Sequence, residues 1–275
     1  MKKLSLLFAI LALAACSVKE DRGFCPAWCV VYSDGYVAEG CKGNLTCNVA
    51  TDLQSSLDFG SREFSCFEHR GDLVLEVPRN EQVYVDVFCG VDEMSLNGAV
   101  LAIPMGCCSD NVYSGHGRVF IHGEEGEAGL PLHKDFAEII MQVRGDVPED
   151  YEFSFRLLGN VDGYELPGGK PHRGEFDYSP PREPGHVYRA RVPRQLDDSL
   201  MLEIYHSDGS LVTRQKLGMI MRMLGYDWSS PDLKDIMLGV DLAAASFTIE
   251  VEEWDNSETI KIITLKPRDA WVIVM

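Results

Sequence analysis

Alternation constrains this chain more than any other feature. Leu73, Leu75 and Val77 alternate with Val74 and Glu76; Pro78 to Gln82 interrupts; then Val83, Val85, Val87 and Cys89 alternate with Tyr84, Asp86 and Phe88. Successive side chains of a strand point to opposite faces, so period two places one apolar row against a core. The pair reads as a hairpin. Further strands are expected at Ala27 to Tyr32, Arg118 to His122, Ala137 to Val143, Phe153 to Leu158, Val187 to Val192 and Leu200 to Tyr205, the last meeting a Ser207-Asp208-Gly209 turn. Phe247 to Trp254, Thr259 to Leu265 and Ala270 to Met275, parted by polar breaks, read as a three-strand meander.

Helical spacing is confined to Val212 to Leu224, where Leu217, Ile220, Met221 and Leu224 share a face and Gly225 stands as a stop. Met219, Met221 and Met223 do not share one face and read as packing residues. A second short turn is expected from Ser230, with Pro231 at its first position. Many short strands, turn breaks and one helix define a mainly β protein built of sandwiches.

Gly159 to Gly185, rich in glycine and proline, reads as loop. The polar GEEGEAG stretch, Gly123 to Gly129, lies just past the last cysteine and is the better boundary. The expected organisation is a signal peptide over 1–15, a tether over 16–23, and β-sandwich domains over 24–128 and 129–275. A mature length of about 260 residues suits two domains, each with its own core.

The N-terminus fixes the address. Lys2 and Lys3 precede an apolar run from Leu4 to Ala15, which has the layout of a secretion signal and is too short to span a bilayer. Leu13-Ala14-Ala15 before Cys16 resembles the bacterial lipobox, in which cleavage exposes a lipidated cysteine. Acyl chains such as palmitate each add about 0.8 kcal/mol per buried methylene, so two or more on Cys16 hold a chain durably at a membrane. Lys19, Glu20 and Asp21 resemble the short acidic export signal that sends lipoproteins of the Bacteroides group to the outer face.

Loss of residues 1–15 removes two lysines and moves the net charge from -18 to -20. That charge, with no basic cluster longer than two residues, opposes nucleic-acid binding. Eight cysteines remain after Cys16, at 25, 29, 41, 47, 66, 89, 107 and 108. In an exported chain they read as disulfides, with 105 possible pairings and with Cys107 and Cys108 bonded to different partners. Only Cys25 and Cys29 have a zinc-like spacer, and no second pair follows, so neither metal nor cofactor is expected.

No GxSxG, HExxH, P-loop or dinucleotide fingerprint is present. His116 and His122 could share a strand face, but nothing local supplies a third ligand. The acidic run 146–150 lacks the spacing of a calcium loop and reads as a solvated turn. Asp227 and Asp235 are expected to fix turns and helix ends. No catalytic residue is assigned.

Two blocks carry a family resemblance. Cys16, Lys19-Glu20-Asp21-Arg22, Cys25-Pro26 and Trp28 form the first; VPRQLDDSLMLEIYHSDGS (192–210), Leu217-Gly218, GYDW (225–228), DLKDI (232–236), Val240-Asp241 and Trp254 form the second. In order and spacing they resemble the FimB-like fimbrial anchor and assembly lipoproteins of the Bacteroides group. That family often shows two cysteines flanking the proline; here Ala27 fills the second place and Cys29 follows Trp28.

The resemblance implies two tandem transthyretin-like β-sandwich domains on a lipid anchor. It further implies a role in tying a shaft of strand-exchanging fimbrial subunits to the outer membrane, facing the cell exterior, and in capping or limiting the fibre. Ala270, Trp271, Val272, Ile273, Val274 and Met275 are apolar on both faces and form a candidate subunit-pairing strand; closure of their own sheet is the other reading. A different class of function is glycan binding for nutrient uptake, for which Trp28, Trp228, Trp254 and Trp271 would have to be exposed together.

Overall fold

The computed structural model describes residues 25, 27–32, 44–51, 62–65, 73–77, 79–144, 152–241, 246–251 and 263–265. Cys16, Lys19, Glu20, Asp21 and residues 270–275 lie outside them. In chain order the strands are β1 (Ala27–Tyr32), β2 (Asn44–Thr51), β3 (Arg62–Ser65), β4 (Leu73–Val77), β5 (Gln82–Cys89), β6 (Ser95–Asn97), β7 (Val100–Ala102), β8 (Tyr113–Phe120), β9 (Glu125–Gly129) and β10 (His133–Lys134). They continue as β11 (Phe136–Arg144), β12 (Phe153–Glu165), β13 (Lys170–Tyr178), β14 (Arg182–Glu183), β15 (Val187–Pro193), β16 (Met201–His206) and β17 (Leu211–Gln215). Helix α1 (Leu217–Met223) follows, then β18 (Ile236–Asp241), β19 (Ser246–Val251) and β20 (Ile263–Leu265).

The strands form four sheets, ordered β4-β1-β9, β10-β8-β5-β2-β3, β14-β15-β11-β18-β19-β20 and β17-β16-β12-β7-β6, with β13 added to β12. The first two enclose a core of Ala27, Cys29, Val31, Val77, Val83, Val85, Val87, Cys89 and Ile121. The other two enclose a larger core containing Ile139, Met141, Phe155, Leu157, Tyr188, Leu202, Ile204 and Leu238. The protein is mainly β, and each sheet pair is a sandwich whose inward rows are the alternating apolar residues read from sequence.

Both cores draw on the first half of the chain. Phe88, Met94, Leu101, Ile103 and Val112 belong to the second core, and the β6–β7 hairpin adds to β12 through Gly163↔Ala102 and Tyr164↔Leu101. β5 shows why. Val85, Val87 and Cys89 face the first core, while Phe88 on the opposite face enters the second, so the C-terminal half of this strand is buried on both sides.

Several expectations change. β4 and β5 do not form a hairpin: β4 pairs with β1, β5 with β2 and β8, and the segment between them, with Asn80 at φ 59, carries the chain from one sheet to the other. The Gly159–Gly185 region is not loop, because β12 runs on to Glu165 and β13 returns along it. GEEGEAG holds β9, parallel to β1, since main-chain pairing needs no apolar side chain.

The helix starts at Leu217, five residues later than expected. The stretch with β-branched Val212 and Thr213 is strand instead: Leu211 and Thr213 pair with Tyr205 and Ile204 of β16 across the Ser207-Asp208-Gly209 turn, where Gly209 takes φ 80, and Val212 falls at a register shift. Gly225 ends the helix at φ 85, with Tyr226 N donating to Met221 O at 3.0 Å, as the stop signal implied. No helical turn follows Ser230; Ser230 Oγ donates to Asp232 O at 3.0 Å. β19 and β20 pair antiparallel beside β18. The third meander strand lies outside the described residues.

Candidate functional site

The densest buried polar cluster sits where the two cores meet. Asp86 on β5 points away from the first core and stands opposite His116 on β8. Its Oδ1 lies 2.9 Å from His116 Nδ1 and accepts a hydrogen bond from Gly168 N at 2.8 Å, across from the second sandwich. Gly169 must be glycine here: its φ is +59, and a Cβ would lie 1.9 Å from the His116 ring. The β12–β13 turn is thus seated directly on the outer face of β8.

His116 Nε2 lies 2.8 Å from Ser114 Oγ, and Ser114 donates to Asp135. Asp, His and Ser therefore stand in the connectivity of a hydrolase triad. The chemistry fails on the proton. Ser114 has one, already given to Asp135, so its oxygen can only accept from His116, whereas a nucleophile needs its proton aimed at a base. Ser114 is also only 4% exposed. The cluster fixes a junction rather than a reaction centre.

Asp135 connects this cluster to the second block of the family resemblance. Arg194 Nε donates to Asp135 Oδ1 at 2.9 Å, and its remaining N–H groups serve Trp228 O at 2.6 Å, Ser230 O at 2.5 Å, Pro231 O at 2.8 Å and Lys134 O at 3.3 Å. Arg194 N and Tyr164 Oη both donate to Asp135 O. DLKDI closes the same clamp: Asp232 accepts from Lys134 N at 2.9 Å, and Asp235 accepts from Lys134 Nζ at 2.5 Å and Glu138 N at 2.7 Å. Asp227 accepts from Ser229 N and Oγ, and these bonds hold its carboxyl below the usual range. GYDW and DLKDI are structural; they lock the passage from α1 to β18 onto β10 and β11.

Burial pushes the Asp135 carboxyl above its ordinary value of 3.8, against the opposing pull of Arg194 and Ser114. A raised folded-state value contributes stability below the unfolded value and loses it as pH rises through the folded one. Asp135→Asn has no such proton to release. The stability of wild type relative to this variant will therefore fall as pH is raised from below 3.8, measured by urea unfolding at acidic and neutral pH. A difference that is flat or rises with pH would refute the assignment.

A second charged set crosses the outer face of the second core's sheet. Glu203 on β16 is 0% exposed, flanked in register by Arg214 on β17 and Arg156 on β12, with Asp177 on β13 pairing with Arg156. Burial acts to raise the Glu203 carboxyl, but Tyr205 and the two guanidiniums prevail and hold it below its usual range. This ladder ties four strands together.

The remaining candidates are placed as follows. Among the described residues, no group of three or more His, Cys, Asp or Glu could hold a metal ion. His122 lies on the Phe120 ring, 4.4 Å between centroids, away from His116. Trp228 is 8% exposed and packs on Tyr226 at 4.9 Å, whereas Trp28 is 47% exposed, so the tryptophans do not form one platform. Trp254 and Trp271 lie outside the described residues.

Cys89 is disulfide-bonded. Cys25, Cys29, Cys107 and Cys108 are thiols, which corrects the expectation of separate disulfide partners for the last two. Cys108 Sγ instead accepts from Arg191 Nη2 at 3.4 Å, and burial together with Glu93 pushes the Cys107 thiol up.

Two sandwich cores meet at this buried ionic junction in a mainly β protein. No family model matches the chain, and no curated protein matches its sequence. Solved structures share its fold. The fimbrial anchor protein Mfa2 from Porphyromonas gingivalis superposes with a TM-score of 0.60 at 14% identity, covering 84% of this chain and 98% of that one. A candidate polysaccharide-binding protein from Bacteroides thetaiotaomicron gives 0.63 at 10% identity, covering 88% and 99%. A candidate adhesin from Bacteroides ovatus gives 0.59 at 11% identity, covering 91% and 98%. The chain is mainly β, as expected, and shares its fold with these proteins.

Proposed function

We propose that this chain is a non-enzymatic surface lipoprotein that ties a strand-exchange fimbria to the outer membrane and caps or limits its growth. The observation that carries this reading is the shared fold with the Mfa2 anchor over 84% of this chain and 98% of that one. The lipobox at Cys16 and the Lys19-Glu20-Asp21 signal supply the tether and the outward address. In this reading the partners are shaft subunits, and the chain is organised as tandem domains over 24–128 and 129–275, with the β6–β7 hairpin reaching from the first into the second. Residues 270–275 are the candidate exchanged strand. A junction of buried, mutually bonded charges suits a part that must hold its shape between membrane and fibre.

Cys16→Ala tests the tether in the native host. The expected result is loss of both the chain and its attached fibres from washed outer membranes, with recovery of both in the medium by immunoblot. Fibres that stay on the cells at wild-type amounts would overturn the anchoring role.

A further inference from the structure

The strand pairings of the two cores repeat. β1 pairs antiparallel with β4 and parallel with β9; β11 pairs antiparallel with β15 and parallel with β18. In the facing sheets, β2 takes β3 and β5, and β5 takes β8, just as β12 takes β13 and β16, and β16 takes β17. The correspondence breaks beyond β9. In the second core β19 lies antiparallel outside β18, and β20 outside β19; among the described residues nothing lies outside β9.

We infer that the outer side of β9 is a docking edge for a basic extended strand of a partner subunit, lying antiparallel to β9 as β19 lies to β18. The inference deepens the anchor reading and rests on it. The backbone has the right polarity. Trp28 N donates to Glu124 O at 2.9 Å, and since main-chain groups alternate in direction along a strand, the ladder to β1 uses Gly126 and Ala128. The N–H and C=O groups of Glu125 and Glu127 then point outward.

Side chains select the occupant. In-register neighbours share a face, so Glu125 stands beside Trp28 and Glu127 beside Val30, on the face opposite the core. Glu125 and Glu127 are exposed, as are Trp28 and Val74 on the same face. A strand laid along β9 brings alternate residues next to the two carboxylates, where lysine or arginine is favoured and acid is repelled. A second copy of β9 would bring glutamate to glutamate. The edge therefore rejects self-pairing and admits a basic partner, which is selection by repulsion as well as attraction.

Labelled short peptides alternating valine with lysine, or valine with glutamate, test this on the full mature chain by fluorescence anisotropy. The lysine peptide is expected to bind at least about tenfold tighter. Glu127→Pro deletes an outward N–H and spares the ladder to β1, so it is expected to weaken that binding about tenfold at unchanged circular dichroism. Glu125→Lys with Glu127→Lys is expected to reverse the peptide preference. Equal binding of the two peptides, or a Glu127→Pro variant that binds like wild type, would overturn the inference, the latter exposing mere attraction between a basic peptide and an acidic protein. In the host, Glu127→Pro cells that keep their fibres while Cys16→Ala cells shed them would sink the docking edge and leave the anchor reading intact. Fibres retained in Cys16→Ala cells would instead sink the anchor reading.

Discussion

Arg194→Ala is expected to lower the unfolding free energy by about 3–5 kcal/mol at neutral pH, the range for removing one partner of a buried ion pair. Arg194 and Asp135 side chains are 15% and 10% exposed, so solvent screening relieves little of the loss. Three consequences add. Asp135 keeps its charge without its nearest cation, the carbonyls of Trp228, Ser230 and Pro231 lose a donor, and the GYDW segment loses its hold on β10.

The pH dependence separates the first consequence from the others. Asp135 already sits above its ordinary value because it is buried, and without Arg194 it will rise further. Acidification should then neutralise the stranded carboxyl and shrink the penalty. Urea unfolding at neutral and acidic pH, followed by tryptophan fluorescence, measures both. A neutral-pH penalty of about 1 kcal/mol or less would place this pair with ordinary surface ion pairs and remove it from the junction.

Phe155→Ala is the second large effect, again about 3–5 kcal/mol, but of a different kind. Phe155 is fully buried in the second core, with its ring 4.4 Å from that of Tyr188 on the opposing sheet. Truncation removes the ring's transfer free energy and leaves a cavity that two hydrogen-bonded sheets cannot collapse to fill. The midpoint of thermal unfolding should fall by about 10 °C. Phe155→Leu, which retains most of the volume, should lose less than half as much. The loss should not vary with pH, in contrast to Arg194→Ala. Calorimetry of both variants at two pH values checks this, and equal losses for alanine and leucine would show that the cavity is not the cause.

Legibility in the sequence followed burial. β1, β11 and β15 could be read because one face is buried and the other wetter, so alternation survives in the residue types. Where a strand is glycine-rich the same rule fails. Gly163 looks like a turn residue, yet its missing Cβ would meet Leu101 O at 2.4 Å, and the glycine is there so that β7 can approach β12. Gly115 and Gly117 obscure the first half of β8 in the same way, because residues 130–132 pack against them. The pairing of β4 and β5 was misjudged because adjacency in sequence says nothing about which sheet a strand joins.

The junction was invisible for another reason. Ser114 and His116 lie two apart on β8, but Asp86, Asp135 and Arg194 come from distant stretches, and only the pairing of β8 with β5 and β10, and of β11 with β15, brings them together. One signal was present. Phe88 is an apolar residue in the polar row of β5, and an apolar side chain on the wet side of a strand marks a face that something covers. GYDW and DLKDI were legible through the family resemblance, and the geometry gives them the work of a clamp.

The pairing of the first strand has a mechanical consequence. β1 lies between β4 and β9, antiparallel to one and parallel to the other, and it is the strand nearest the expected tether. A pull directed along β1 loads the hydrogen bonds on both its flanks together, in shear, so that they must fail nearly at once. Had β1 been an edge strand pulled sideways, they would have opened one at a time. Under the proposed anchoring role, tension between membrane and fibre would load the chain through this strand, and the rate of its forced unfolding, rather than its equilibrium stability, would set how long the attachment lasts.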